Sequence, residues 1–312
     1  MTGEAAEHEA AGSTTVAVCI CTYRRTDALR RLLERLVDDA EQVGDRARVG
    51  VVVIDDDPDR SATATVEAFA DRFELGVRLG ASGTGNIARA RNLALDRGRE
   101  VADWIACIDD DCLPDPGWMG HLVDAQRDRS ADCVSGACVD EAPPGAPPWL
   151  TDEPFLEGPR DLPDGAPIEV GHIKNTLVRS SLVGPGGVRF REALGVVGGE
   201  DTIFFRDMHA QDVAHVFAAR AVVREQVPLE RTSLRYQLRR RFWYGNTEAV
   251  VTLLAGRSSR VRVALGGIRR SLGALRHLVP SARGWWWRYG IAEVLRGVGR
   301  VLGAAGVRVD HH

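Results

Sequence analysis

Three short runs of consecutive apolar residues constrain the fold more than any other feature of the sequence. They are TVAVCICTY at residues 15–23, VGVVVIDDD at 49–57 and DWIACIDDD at 103–111. A strand that is apolar on both faces is typical of a parallel sheet covered by helices on both sides. Helical patterns separate the runs, with apolar side chains on one face at residues 29–37 and 66–73. This alternation predicts an α/β domain with a mostly parallel sheet and helices on both faces.

The rest of the chain continues the pattern with one interruption. The same reasoning predicts strands at residues 76–80 and 131–139, and helices at 86–98, 198–211 and 233–254. Residues 143–167 contain eight of the fourteen prolines. A segment so rich in proline predicts a long loop or lid.

Acidic residues directly follow two of the three apolar runs. Residues 55–57 are all aspartate, and so are Asp109, Asp110 and Asp111. Ligands of open α/β sheets bind beyond the carboxyl ends of the strands. Because side chains alternate along a strand, we expect Asp109 and Asp111 to share a face and Asp110 to point away. Such a carboxylate pair suits Mg²⁺ or Mn²⁺, and Asp56 suits a ribose or base; a solvated acidic turn is the alternative at both places.

Two glycine-containing motifs precede predicted helices. Residues 83–88, GTGNIA, match a GxGxxA pattern. A dinucleotide fingerprint belongs at the first strand–helix turn, which here is the glycine-free CTYRR. The glycines at residues 83 and 85 therefore predict a tight turn, or close approach of the backbone to a ligand. Glu200 and Asp201 follow Gly198 and Gly199. The glycines free the backbone to place a carboxylate over a pocket as a general base, and an ordinary acidic helix start is the alternative.

The predicted helix at residues 233–254 is strongly basic. Four arginines and two aromatic residues lie near its start: Arg235, Arg239, Arg240, Arg241, Trp243 and Tyr244. Guanidinium groups bind phosphate through paired hydrogen bonds. A basic face with aromatic residues is equally compatible with a lipid surface or a nucleic acid.

Charge and cysteine content exclude several classes of protein. The 312 residues carry a net charge of −4, but residues 251–312 hold eleven arginines against Glu293 and Asp310, a net of +9. None of the six cysteines forms a CxxC pair, which disfavours a zinc ribbon or thioredoxin site. The polar, acidic start is unlike a secretory signal peptide, and no apolar run has the length of a membrane span.

Taken in order, these motifs resemble the family 2 glycosyltransferases of the GT-A fold. The ordered set is TYRR after the first strand, DD after the second, ARN on a helix, DDD after the fourth, then GGED and RRRFWYGN. The resemblance covers roughly residues 15–250. It implies a Rossmann-like GT-A fold that transfers a sugar from a nucleotide-diphosphate donor to an acceptor hydroxyl, with inversion and in a single displacement.

The resemblance also implies roles for individual residues. Asp109 and Asp111 resemble the DxD motif that binds Mn²⁺ or Mg²⁺, with Asp111 the direct ligand. Asp201 matches the catalytic base, supported by Glu200. Eight residues are expected to bind the donor: Thr22, Tyr23, Asp56, Arg91, Asp109, Asp110, Arg240 and Arg241. The QLRRRFW segment only approximates the QxxRW motif of polymer-forming members, so we expect a non-processive enzyme.

Two other functions and several organisational questions stay open. A nucleotidyltransferase of similar α/β fold and a non-catalytic sugar-nucleotide-binding relative are the alternatives. We expect a disordered N-terminus at residues 1–14, a donor-binding half at 15–140, an acceptor and catalytic half at 141–250, and a helical, Arg-rich extension at 251–312. That extension either packs on the core or touches a membrane from the cytoplasmic side. The acceptor is a glycan, a lipid-linked glycan or a small molecule, and the acidic chain argues against nucleic acid.

Overall fold

The computed structural model of the protein describes residues 13–256, 258–280 and 285–309. Its strands are β1 (Thr14–Thr22), β2 (Ala47–Asp55), β3 (Val77–Ala81), β4 (Trp104–Ile108), β5 (Cys112–Pro114), β6 (Cys133–Glu141), β7 (Asn175–Arg179) and β8 (His215–Gln226). Its helices are α1 (Thr26–Val43), α2 (Thr63–Glu67), α3 (Ile87–Arg99), α4 (Trp118–Arg129), α5 (Trp149–Asp152), α6 (Glu200–His209), α7 (Leu234–Leu254), α8 (Arg260–Ala274) and α9 (Trp287–Ala304). The N-terminus predicted to be disordered lies outside these residues up to position 12, and β1 already begins at Thr14.

The described strands form one sheet in the order β3-β2-β1-β4-β7-β6-β8-β5. Strands β1 to β4 pair in parallel, as the buried apolar runs predict. In the second half, β7 lies antiparallel between β4 and β6, β6 and β8 are parallel, and β5 pairs antiparallel with β8. The sheet is therefore mixed: one half is parallel and carries the ends of β1, β2 and β4, and the other half combines antiparallel pairs with the parallel pair of β6 and β8.

Helices cover both faces of this sheet, as predicted. On one face, Val16, Val18 and Ile20 of β1 pack in a single apolar cluster with side chains of α1 and α4. On the other face, Cys19 and Val52 belong to a second cluster that includes side chains of α3 and α6. All six cysteines are thiols, and all but Cys21 are buried.

The C-terminal helices pack on the domain and on each other. A Cβ atom at Gly299 of α9 would overlap the Phe242 carbonyl of α7, so these two helices approach at backbone distance. Glu293 of α9 is buried and forms ion pairs with Arg241 of α7, at 3.4 Å, and with Arg270 of α8, at 2.7 Å. Helix α7 also runs across the predicted boundary at residue 250. The extension is thus joined to the rest of the chain by packing and buried charge.

No helix in the described part of the chain is both long enough and apolar enough to cross a membrane.

Candidate functional site

The carboxyl ends of β1, β2 and β4 bring distant polar residues to one edge of the sheet. Thr22 lies opposite Asp55 in the β1–β2 register, and β4 pairs with the other side of β1. As a result the Thr22 hydroxyl donates a hydrogen bond of 2.7 Å to Oδ2 of Asp110, 88 residues further along the chain. This edge is where an α/β sheet binds its ligands.

Arg25 holds two of the three consecutive aspartates. Its Nη1 donates to Oδ1 of Asp110 at 3.0 Å and to Oδ2 of Asp111 at 2.7 Å. The prediction that Asp110 points away from its neighbours is therefore wrong, since Asp110 and Asp111 share this guanidinium. Strand β4 ends at Ile108, so the alternation of side chains along a strand does not extend to these residues.

The negative charge around Asp111 exceeds the positive charge that the surrounding residues provide. Burial, together with the charges of Asp109 and Glu225, raises the pKa of Asp111 to about 7. Burial also raises the pKa of Asp110, although Arg25 and Thr22 oppose the shift. Excess negative charge on hard oxygen atoms is the setting in which Mg²⁺ or Mn²⁺ binds.

The described residues could supply only part of the coordination shell of a metal ion. Among the described residues, no three histidine, cysteine or acidic side chains are arranged to hold a metal ion. Asp109 and Asp111 each give one oxygen to an arginine, and a carboxylate has a second oxygen to offer. The residues therefore fit a divalent cation that takes its remaining ligands from phosphate or water, as Mg²⁺ commonly does.

Arg91, on helix α3, connects Asp109 to the start of helix α6. Its Nη2 donates to Oδ1 of Asp109 at 3.2 Å, and its Nη1 donates to Oε1 of Glu200 at 2.7 Å. The Arg91 side chain is only 14% exposed, and its guanidinium lies 5.6 Å from the centre of the Phe190 ring. Burial raises the pKa of Glu200, and the Arg91 charge opposes that rise. One buried guanidinium thus joins two motifs that are 91 residues apart in sequence.

Two glycines set the position of Glu200 and Asp201 against helix α7. Gly198 and Gly199 have φ values of +85° and +86°, a region that other residues rarely adopt. A Cβ atom at Gly199 would also overlap the side chains of Val251 and Thr247 on α7. Oδ1 of Asp201 accepts hydrogen bonds from the Thr202 amide at 2.6 Å and the Thr202 hydroxyl at 3.3 Å. The carboxylate is therefore oriented by its neighbour and is only partly buried.

The loop that follows β3 wraps around Asp56. Oδ1 of Asp56 accepts hydrogen bonds from the Thr84 amide at 2.8 Å, the Gly85 amide at 3.2 Å and the Ser82 hydroxyl. Gly83 and Gly85 have φ values of +59° and +62°, so the GTG sequence forms a tight turn, one of the two outcomes predicted for its glycines. Tyr23, at the end of β1, is 49% exposed. The edge beside β2 thus combines a buried carboxylate with an exposed aromatic ring.

The two arginines predicted on helix α7 lie in different places. Arg240 donates to the Tyr244 hydroxyl at 2.6 Å. Burial acts to lower the pKa of Arg240, but Tyr244, and after it the charges of Glu225 and Asp140, raise that pKa above its usual range. Arg241 instead contacts Glu293 and donates to the carbonyl of Pro154 at 3.0 Å. Arg240 therefore lies close enough to Glu225 and Asp140 for their charges to act on it. Arg241 lies elsewhere, against Glu293 of α9.

Sequence reasoning missed three residues of this edge. Arg25 lies inside the TYRR motif but has no distinguishing pattern. Lys174 is the single lysine of the chain, which was a usable signal; its Nζ donates to Oε2 of Glu225 at 2.5 Å. Lys174 lowers the pKa of Glu225 even though burial acts in the opposite direction, and the charge of Glu225 acts in turn on Asp111.

A cavity of about 610 Å³ opens over the consecutive aspartates. Arg25, Asp110 and Asp111 line one side of it, and Pro143 and Pro144 line another. The proline-rich segment, predicted as a loop or lid, therefore contributes a wall of this cavity. A second cavity of about 750 Å³, between α7 and α9, is bordered by Arg240 and by apolar residues such as Phe242 and Leu295.

Comparison with known proteins gives consistent matches in sequence. The sequence model described as Glycosyl transferase family 2 matches residues 17–183. The succinoglycan biosynthesis protein ExoM of Rhizobium meliloti (strain 1021) is 34% identical over 271 residues, which are 84% of this chain and 84% of ExoM.

Solved structures extend the comparison to the fold. S. aureus TarS 1–349 in complex with UDP has a TM-score of 0.51 at 16% identity, and the match covers 75% of this chain but less than two thirds, 65%, of that one. The mannosyltransferase PcManGT from Pyrobaculum calidifontis, in complex with GDP-Man and Mn²⁺, has a TM-score of 0.56 at 17% identity, covering 94% of this chain and 74% of that one. At these identities the likeness shows a shared fold.

Proposed function

The chain belongs to Glycosyl transferase family 2 and is a glycosyltransferase with the GT-A fold, and we propose that it moves a sugar from a nucleotide-diphosphate donor to an acceptor hydroxyl. The reaction is a single displacement that inverts the anomeric carbon, and it is non-processive. The nucleoside diphosphate in the TarS complex, UDP, and the nucleotide sugar in the PcManGT complex, GDP-Man, support a nucleotide-sugar donor here.

The bridging of Asp109 and Glu200 by Arg91 carries the proposal. A single displacement needs stabilisation of the leaving group on one side of the anomeric carbon and a base on the other. The bridge holds Asp109, one of the acids assigned to the leaving group, and Glu200, the neighbour of the proposed base Asp201, within the span of one guanidinium. Because Arg91 is buried and fixed at both ends, this spacing is set before any substrate binds.

Asp111, with Asp109, would hold Mn²⁺ or Mg²⁺ beside the donor diphosphate. When bound there, the cation neutralises negative charge that develops on the departing diphosphate. The raised pKa of Asp111 supports this role, because the carboxylate lacks sufficient positive charge in the protein alone. Arg25, which contacts Asp110 and Asp111, keeps both carboxylates at the cavity and gives a positive charge next to the phosphate position.

Asp201 is the proposed base. It is partly exposed at the first turn of α6, and Thr202 fixes one of its oxygens, so the other can take the proton of the acceptor hydroxyl. Glu200 is buried against Arg91 and is proposed to position Arg91 and the start of α6. The division fits their surroundings, since a base needs access to substrate and a positioning group does not.

The nucleoside is proposed to bind along the ends of β1 and β2. Tyr23 offers an exposed ring for the base to stack on, and Asp56 and Thr22 supply polar atoms at the same edge. Arg240 lies on the side of Glu225 and suits the donor phosphates. Arg241 is occupied by Glu293 and backbone carbonyls, and we assign it a structural role. A glycan acceptor is favoured by the part that ExoM plays in succinoglycan biosynthesis.

Thermal unfolding with nucleotides tests the donor site. UDP, GDP and dTDP are each added with Mn²⁺ or with EDTA to the wild type, to Asp111→Asn and to the control Asp38→Asn, which alters an exposed aspartate on α1. We expect one nucleotide to raise the melting temperature of the wild type and the control in Mn²⁺ only, and to have no effect on Asp111→Asn. If no nucleotide stabilises the folded wild type, the donor site is assigned wrongly.

A further inference from the structure

Helix α8 carries a row of large apolar side chains exposed to solvent. The row, called the apolar stripe below, consists of Val261, Leu265, Ile268 and Leu272 on α8 and of Leu275 directly after it. Their exposed fractions run from 46% to 69%. Isolated exposed apolar residues are ordinary, but a contiguous group of this kind marks an interaction surface.

The geometry of the helix separates the stripe from the face that packs on the protein. At 3.6 residues per turn, Val261, Leu265, Ile268 and Leu272 fall within about 60° of the helix circumference. The buried residues Val263, Gly267 and Ala274 lie on the opposite side. On that side a Cβ atom at Gly267 would overlap backbone and side-chain atoms of α9. Helix α8 therefore packs on the protein by one face, and its other face is not covered by any described part of the chain.

The charge around the stripe is positive throughout. Arg260, Arg262 and Arg269 are exposed on α8, and Arg276 is exposed just beyond it. The sequence has no acidic residue between positions 255 and 292. Trp285 is 56% exposed and donates its indole hydrogen to the Leu278 carbonyl at 3.1 Å. An apolar face, flanking arginines and a nearby tryptophan are the features of a helix that lies in a membrane interface.

We propose that α8 docks on an anionic lipid bilayer, with the apolar stripe inserted at the boundary between headgroups and acyl chains. Positive charge on both flanks complements the anionic headgroups. A second copy of the chain is a poorer occupant, because apposed stripes would bring the arginines of two copies together without an acid between them. Helix α9 also belongs to the extension that the sequence predicts either to pack on the core or to touch a membrane. It packs between α7 and α8, and Glu293 is buried in that contact. The inference does not depend on the transfer reaction.

Vesicle co-sedimentation of the full chain tests the proposal. The vesicles are phosphatidylcholine alone, or phosphatidylcholine with roughly one third phosphatidylglycerol. The stripe variant is Leu265→Glu with Leu272→Glu, and the matched control is Leu79→Glu with Leu162→Glu, which changes two exposed leucines elsewhere by the same charge. All four positions are exposed, so both variants are expected to keep the melting temperature of the wild type.

We expect the wild type and the control to sediment with the anionic vesicles and less with phosphatidylcholine alone. The stripe variant should bind about a hundredfold more weakly, since each leucine contributes about tenfold to partitioning. Equal binding by the stripe variant and the control would overturn the proposal. So would the absence of wild-type binding to the anionic vesicles. A wild-type dimer that the stripe variant dissociates, without vesicle binding, would assign the stripe to self-association instead.

Discussion

The bridge made by Arg91 predicts two unequal coupling energies in the unfolding of the protein. The pair with Glu200 is short, at 2.7 Å, and its side chains are 14% and 10% exposed. The pair with Asp109 is longer, at 3.2 Å, and the aspartate side chain is 33% exposed. Because solvent screens the second pair more strongly, the Glu200 pair should contribute most of the coupling.

The expected magnitudes follow from these contacts. Arg91→Met leaves a buried glutamate without its partner, which costs about 3–5 kcal/mol of unfolding free energy. In double-mutant cycles, we expect a coupling of about 2–3 kcal/mol between Arg91 and Glu200. Coupling with Asp109 should be about 1 kcal/mol or less.

Urea unfolding near neutral pH measures the couplings, with Arg91→Met, Glu200→Gln, Asp109→Asn and the two double variants. The control cycle uses Arg97 and Glu100, an exposed pair at the end of the same helix, where we expect about 0.5 kcal/mol. A coupling of Arg91 with Asp109 that equals or exceeds the coupling with Glu200 would refute the reasoning. So would a Glu200 coupling as small as the one in the control cycle.

Three further predictions concern pH and backbone conformation. The pKa of Asp111 is raised to about 7 in the folded state, so its ionisation destabilises the fold as the pH rises. In EDTA, the unfolding free energy of Asp111→Asn should therefore increase relative to that of the wild type by about 3 kcal/mol between about pH 5 and pH 7. The difference in unfolding free energy between Asp38→Asn and the wild type should stay constant over this pH range. Burial lowers the pKa of His215 to about 4. The neutral form of His215 therefore stabilises the fold above about pH 6.5, and this contribution of about 3 kcal/mol is lost as the pH falls toward 4. In urea titrations, the unfolding free energy of His215→Gln should not show this decrease between about pH 6.5 and pH 4. Gly199→Ala should destabilise the protein by about 1–3 kcal/mol, seen as a lower melting temperature, and a melting temperature equal to the wild type would contradict the φ of +86°.

Strands β1, β2 and β4 were predictable because they are apolar on both faces. That pattern is local, and it gave the positions of the three strands, but the run predicted to residue 111 extends past the end of β4 at Ile108. The other half of the sheet was not predictable in the same way. Strand β7 inserts antiparallel between β4 and β6, and pairing of this kind depends on contacts between segments far apart in sequence.

The residues of the candidate site also fall into those that local sequence pattern could predict and those that depend on contacts between distant segments. Asp56, Asp110 and Asp201 follow strand ends or glycine pairs, so local pattern was enough to place them near the edge. The carboxylates that pair with each arginine could not be predicted, because a guanidinium contacts whichever carboxylate the folded loops place beside it. Arg240 and Arg241 illustrate the limit: neighbours on a helix point about 100° apart, and only the packing of α9 decides which one is used structurally.

The role of Asp201 as the base is the central claim, and the rate of nucleoside diphosphate release tests it most directly. The measurement compares hydrolysis of a nucleotide sugar by Asp201→Asn and by the wild type in Mn²⁺, with water as the group that receives the sugar. The nucleotide sugar is one that carries the nucleotide found to stabilise the protein. We predict a rate at least about a hundredfold lower, with donor affinity within about twofold of the wild type because Asp201 lies outside the proposed donor contacts. An unchanged rate, or a loss of rate explained entirely by lost donor binding, would contradict this assignment.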